Sequence, residues 1–286
     1  MKRSLGVLLI FIGIVIAFGT IIQPLLNSNR TSTVSEKGIN IDTIDKLSIQ
    51  TTVADLKVEQ YSGNELKLEV IGDSSKYNIV TSERGNSNLE IEIKSNKRWF
   101  FFNTSKSSVT VLILIPENYN KAVHIENTVG NLMFQSSLNL SELNVKMTAG
   151  DVRGLSGTMG DLTFSGTAGD FHAEDLITTE TNLKGTAGDF RLEKFTGNLN
   201  GSNTAGHITV EYAKENGDIS LQTTAGDIRV RIPEPSFELD ASTTLGDVSI
   251  NLPINLEQSG KTYRGIVNDG DKKVKVSTTL GDIRLD

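Results

Sequence analysis

The sequence predicts an all-β, repetitive fold: a two-faced β-solenoid with rungs of about 18–20 residues, preceded by one N-terminal transmembrane helix. Three observations predict it. Thr-x-Gly followed by Asp, Asn or His occurs nine times, with glycines at 130, 150, 160, 169, 188, 206, 226, 246 and 281. Period-two alternation of apolar and polar residues begins at Ile39, and no helical periodicity of useful length follows it. An unbroken apolar run, Leu5 to Ile22, follows Met1-Lys2-Arg3.

The N-terminal run, LGVLLIFIGIVIAFGTII, is roughly eighteen residues; at ~1.5 Å each they just cross a ~30 Å hydrocarbon core. A cleaved signal would have a shorter apolar region ending at a small-x-small site, and here Gln23-Pro24-Leu25-Leu26 follows instead. Residues 5–26 therefore read as an uncleaved anchor. Lys2 and Arg3 lie in the short segment 1–4, and the next basic residue is Arg30, which puts the N-terminus in the cytoplasm and the rest outside. Gly13 and Ala17 read as small lipid-facing residues rather than a dimer seam. Residues 27–38 are small and polar, as a flexible tether would be.

The segment 39–127 reads as the N-terminal β part of the outer domain. Leu47 to Gln60 (LSIQTTVADLKVEQ), Leu66 to Val70 and Leu89 to Ile93 alternate cleanly, as half-buried strands do. Val109 to Ile115 is more fully apolar and reads as the most buried strand. Lys97-Arg98-Trp99-Phe100-Phe101-Phe102 interrupts this pattern. It reads as a loop whose rings cap the open end of the core, with an exposed patch touching lipid headgroups or a partner as the alternative.

The segment 128–286 reads as the solenoid proper. Gly130, Gly150, Gly169, Gly188, Gly206, Gly226 and Gly246 are spaced by 20, 19, 19, 18, 20 and 20 residues, one rung each. Gly160 and Gly217 fall halfway, so a rung is two strands and two turns. Gly supplies a positive φ at the corner, and Asp or Asn can bond nearby backbone groups. Apolar-x-apolar follows each corner, as in Ile228-Arg229-Val230 and Phe190-Arg191-Leu192. Stacking at ~4.8 Å then predicts a ladder of Asn131, Asp151, Asp170, Asp189, His207, Asp227 and Asp247, beside a row of Thr128, Thr148, Thr167, Thr186, Thr204, Thr224 and Thr244. Gly281 lies 35 residues beyond Gly246, which suggests a degenerate rung turning near Gly265.

Composition excludes several functions. The 286 residues are 37% hydrophobic, with 26 glycines against 5 prolines, which suits a turn-rich β protein. Net charge is −7 with no basic block, so nucleic-acid binding has no electrostatic footprint. The absence of cysteine excludes disulfides, thiolate nucleophiles and Cys-based metal sites. His124, His172 and His207 belong to no metal or catalytic motif, and no carboxylate pair stands out from the repeat. Calcium is the sharp alternative for the Asp ladder, but it wants ~6–8 oxygens and one carboxylate per rung supplies too few. No catalytic, cofactor-binding or metal residue is assigned, and no cofactor is expected.

These motifs make the chain resemble a bacterial putative-adhesin family, a β-solenoid domain marked by repeated Thr-x-Gly-Asp-apolar-x-apolar. The matching segments include TAGDFRL, TAGDIRV and the two TTLGD units flanking Leu252-Pro253, over roughly Ile39 to Asp286. With its anchor and length, the whole chain is also similar to a membrane-anchored protein of a Firmicutes cell-envelope-stress operon. The resemblance implies a Gram-positive envelope location and a link to envelope stress, and it carries over no catalytic residue. The expectation is a single-pass membrane protein holding a non-enzymatic binding or scaffold module outside the cell. Its expected partners are the membrane, wall polymer, lipid headgroups or a membrane protein. Modulating a neighbouring stress sensor and, less well supported, carbohydrate chemistry are the alternatives.

Overall fold

The computed structural model describes residues 36–72, 77–84, 87–95 and 109–286. The segment read as an anchor, most of the segment read as a tether and the Trp99 stretch lie outside the described residues. In the N-terminal part β1 (Glu36–Asn40), β2 (Lys46–Val53), β3 (Asp55–Tyr61), β4 (Glu65–Ile71), β5 (Tyr77–Arg84), β6 (Asn88–Ser95), β7 (Thr110–Pro116), β8 (Ala122–Val129) and β9 (Leu132–Phe134) follow one another. The repeat holds β10 (Leu138–Ala149), β11 (Val152–Ala168), β12 (Phe171–Ala187), β13 (Phe190–Ala205), β14 (Ile208–Tyr212), β15 (Ile219–Ala225) and β16 (Ile228–Arg231). The chain ends in β17 (Phe237–Leu245), β18 (Val248–Ile250), β19 (Asn255–Ser259), β20 (Thr262–Val267), β21 (Lys272–Leu280) and β22 (Ile283–Leu285). The described residues contain no helix. β1 begins at Glu36, inside the segment read as tether, and pairs with β4.

The rungs stack in parallel. On the long side the order is β6, β2, β8, then the second halves of β10, β11, β12 and β13, then β15, β21 and β17. On the charged side it is β7, β3, β9, the first parts of β11, β12 and β13, then β14, β16, β22 and β18. Alternation sends every second side chain inward, and one core runs from Ile41 to Leu285. At its centre Phe164 and Phe171 lie 4.8 Å apart, with Phe190 edge-on to both at 5.9 and 6.4 Å. Gly166 and Gly185 make room for these rings: a Cβ on either would come within 2.7 Å of Phe164 or Phe190.

The two-faced cross-section needs correction in the central rungs. Residues 138–140, 157–159 and 176–178 also pair rung to rung. A positive-φ residue leads into the last two, Gly154 (φ 72°) before 157–159 and Asp175 (φ 51°) before 176–178, and Lys194 (φ 50°) takes the same place before Thr196, which pairs with Ile177. These rungs therefore have a long side, a charged side and a short third side.

Chain order and stacking order also part at both ends. The β2–β3 rung sits between β6–β7 and β8–β9. The last rung, β21–β22, inserts between β15–β16 and β17–β18. No degenerate rung separates Gly246 from Gly281. Those residues form the antiparallel hairpin β19–β20, which pairs on the outer edge of β17 and covers the end of the core.

Candidate functional site

The Thr-x-Gly-Asp corner is built by close stacking. Gly188 has φ 127°, and a Cβ there would lie 2.0 Å from the Gly169 carbonyl oxygen. The same contact recurs from Gly130, which meets Ala54, up to Gly246, which meets Gly281. Buried side chains satisfy the carbonyls exposed by this turn. Asn127 Nδ2 donates to the Ala54 and Gly130 oxygens at 3.1 Å each. Asn203, Thr223, Thr278 and Thr243 donate to Gly188, Gly206, Gly226 and Gly281.

The Asp ladder is a backbone device. Each corner N–H donates to the side chain one rung below: Asn131 to Asp55 Oδ1 (2.9 Å), Asp151 to Asn131 Oδ1 (3.0 Å), Asp170 to Asp151 Oδ1 (3.0 Å) and Asp189 to Asp170 Oδ1 (2.9 Å). It continues through His207 to Asp189 Oδ1 (2.8 Å), Asp227 to His207 Nδ1 (3.0 Å), Asp282 to Asp227 Oδ1 and Asp247 to Asp282 Oδ1 (both 2.8 Å). His207 stands in for a carboxylate because Nδ1 of the neutral ring is an acceptor, which leaves its proton on Nε2. Asp282 separates Asp227 from Asp247, unlike the order expected from the sequence, and Asp55 extends the ladder below Asn131. The Asp170 N–H, helped by the Arg153 guanidinium and opposed by partial burial, holds the Asp151 carboxyl below the usual range. Among the described residues no three His, Asp or Glu side chains converge as a metal site.

The other histidines lie apart. His124 Nε2 is 2.9 Å from Glu142 Oε1, and His172 Nε2 is 3.8 Å from Glu193. On the charged side most cations are engaged by carboxylates, as in Arg153–Asp151 (2.8 Å), Arg231–Glu211 (3.2 Å) and Arg284–Asp286 (2.7 Å). Such a surface is committed to its own ion pairs.

The long side differs. Its outward positions form rows in register: Asn144, Thr163, Asn182, Asn200 and Ser220 in one, Ser165, Lys184, Ser202 and Gln222 in the next. The exposed threonines, from Thr128 to Thr224, run beside them along the corner and continue through Thr279 to Thr244. Across the middle rungs these two rows are hydroxyls and carboxamides with Lys184 as their charge. The neighbouring outward row, Glu142, Asp161, Glu180, Asn198 and Asp218, is acidic, and Lys146 at the N-terminal end of the second row pairs with Glu126 at 2.8 Å. A shallow concavity of about 390 Å³ lies on the two rows, between Thr163, Lys184, Asn200 and Gln222. Alternating donors and acceptors every ~4.8 Å suit an extended, hydroxyl-rich chain, and the His124–Glu142 pair lies at the N-terminal end of the first row, beside Asn144. A larger open cleft of about 780 Å³ lies off the short third side, where Glu215, Glu234, Asp269 and Asp271 face Lys272.

Comparison with known proteins places the fold. The sequence profile of the Toastrack DUF4097 family matches residues 44–286. The chain belongs to that family. Among solved structures, a putative adhesin from Bacteroides fragilis is 14% identical with a TM-score of 0.57, covering 89% of this chain and 97% of its own. A putative adhesin from Parabacteroides distasonis is 16% identical with a TM-score of 0.49, covering 90% of this chain and 98% of its own. A protein of that organism described as a putative lipid binding protein is 16% identical with a TM-score of 0.48, over 88% and 96%. No curated protein matches the sequence. At these identities the likeness is one of fold alone.

The Thr-x-Gly-Asp unit marked the corner and the threonine row correctly. It missed the two inner rows of the long side, because Asn144, Asn182 and Asn200 belong to no motif and share a row only through register. Asp55 had a signal: Thr51-Thr52-Val53-Ala54-Asp55 is the corner unit with Ala54 in place of glycine.

Proposed function

We propose that this chain is a membrane-anchored, extracytoplasmic binding module of the Gram-positive cell envelope. Its long side holds an extended, hydroxyl-rich wall polymer. The observation that carries this reading is the two in-register rows of outward Asn, Ser and Thr in the middle of the long side, on the face opposite the arginine row. The apolar run 5–26 supports a single-pass anchor with the N-terminus in the cytoplasm. The module is read as non-enzymatic, since its corner Asp residues serve the backbone ladder and its histidines sit with single carboxylates.

The test is co-sedimentation of the protein with purified wall glycan. Asn182→Leu combined with Ser202→Glu alters two outward positions and should weaken binding tenfold or more. Arg229→Glu on the opposite side should leave it intact. Equal binding by all three proteins would sink the reading. The envelope-stress role rests on the resemblance of the whole chain, and an unchanged stress-reporter output after gene deletion would remove it. Glycan cleavage by the purified protein, abolished by one Asp or Glu substitution, would replace the binding role with an enzymatic one.

A further inference from the structure

The outward surface of the charged side changes character at one end. In the repeat register one outward position holds Arg153, His172, Arg191, Thr209, Arg229 and Arg284 in successive rungs. At the N-terminal end the same position holds Met133, Lys57 and Leu112. Leu114 lies two residues beyond Leu112, and Ile71 lies on the neighbouring strand β4. Met133 is 40% exposed and Ile71 39%, and the two leucines are half-buried. Lys57 and Lys67 on this surface are outnumbered by Glu59, Glu65 and Glu69 on the same strands.

This end is also where the chain enters the fold. β1 starts at Glu36 and is the outermost strand of this side, next to β4 and one strand further from β7. Thirteen residues lie between Ile22, the last of the apolar run, and Glu36. They reach at most about 45 Å when extended and about 20 Å as a random coil. A domain held that close to a bilayer and carrying outward apolar side chains at its entry end has one surface within constant reach. We propose that the patch of Ile71, Leu112, Leu114 and Met133 docks onto the interface of the membrane that anchors the chain. The long side then faces away, towards the wall. This rests on the anchored reading above. Because the surface has no excess of lysine, the contact is apolar and does not need anionic lipid.

The chain has no cysteine, so a single introduced one can carry an environment-sensitive dye. The full chain is reconstituted into phosphatidylcholine vesicles, with and without phosphatidylglycerol, labelled at Met133→Cys, Ile71→Cys or Arg229→Cys. Far-UV circular dichroism confirms the β fold of each variant. The expected result is flotation with the vesicles. Dye emission at 133 and 71 should shift to the blue and be quenched at least twofold by a lipid brominated high on its acyl chain, in both lipid mixtures. The label at 229 should stay water-like. Flotation with water-like emission at all three sites overturns the docking and leaves the anchor standing. A blue shift that brominated lipid does not quench means another protein surface covers the patch, and also overturns it. Failure to float overturns the anchored reading and the docking together.

Discussion

Gly188 shows how tightly a single corner residue is constrained. Its φ of 127° acts together with the Gly169 oxygen, only 2.0 Å from where a Cβ would sit. Gly188→Val should therefore destabilise by several kcal/mol, about 3 or more. Urea unfolding measures it, and unchanged stability would mean that the corner is wrongly described. Ladder residues should behave more mildly. Asp189→Ala leaves the His207 N–H without its acceptor at a solvent-facing corner, at a cost of about 1 kcal/mol. Asp189→Asn keeps an acceptor oxygen, as Asn131 does, and should be nearly neutral. Asp151 adds a pH signature. Its folded pKa is lowered, so its contribution is complete above the ordinary carboxylate pKa of about 3.9 and is lost as pH falls through the lower folded value. Wild type should exceed Asp151→Asn by under about 1 kcal/mol near neutrality, since the pair with Arg153 is solvent-screened. The gap should begin to narrow below about pH 4 and close only once the pH is below the lowered folded value; a gap unchanged in strong acid would contradict the ladder's charge-assisted bond.

Elements here are recognisable one at a time but not placeable one at a time. The alternation Leu47-Ser48-Ile49-Gln50 and the unit Ile228-Arg229-Val230 fix which side chains go inward. They do not fix which strand lies alongside. β21 and β17 carry the same corner unit as β15, so each fits as its neighbour. The hairpin β19–β20 decides: it takes the outer edge of β17 and turns the chain back so that β21 inserts beside β15. Removing residues 272–286 should therefore do more than remove a terminal cap. It separates β17–β20 from the rest of the stack. Hydrogen exchange along 237–267 should rise by orders of magnitude in the truncated chain, whereas retained protection would mean that β17 docks without β21.

At the scale of the whole molecule, this interlocking opposes the fraying expected of stacked repeats. Val274 and Val276, near the C-terminus, are wholly enclosed between β15 and β17. Their amides should be protected as strongly as those of Leu199 and Gly201 in the middle, and early exchange there would show ordinary end-fraying. The same interlock joins β15 to β21 across 55 residues, which favours slow folding. The faces also divide by role. One side spends its charges on internal pairs, and the middle of the long side turns two rows of hydroxyls and amides to solvent beside an acidic row. That division of surfaces is the basis of the wall-binding reading.

The sequence by itself determined the all-β class, the rung length, the left-handed corner and the side of each strand that faces the core. These follow from local rules: the φ that glycine permits and the period of two in a strand. Only the tertiary structure decided the third side of the central rungs, the insertion of the last rung, and the rows that Asn144, Asn182 and Asn200 form. Each of these depends on hydrogen bonds between residues far apart in the chain. Near-identical corner units make those pairings interchangeable when read locally, and the hairpins that break the tie act only in the folded stack.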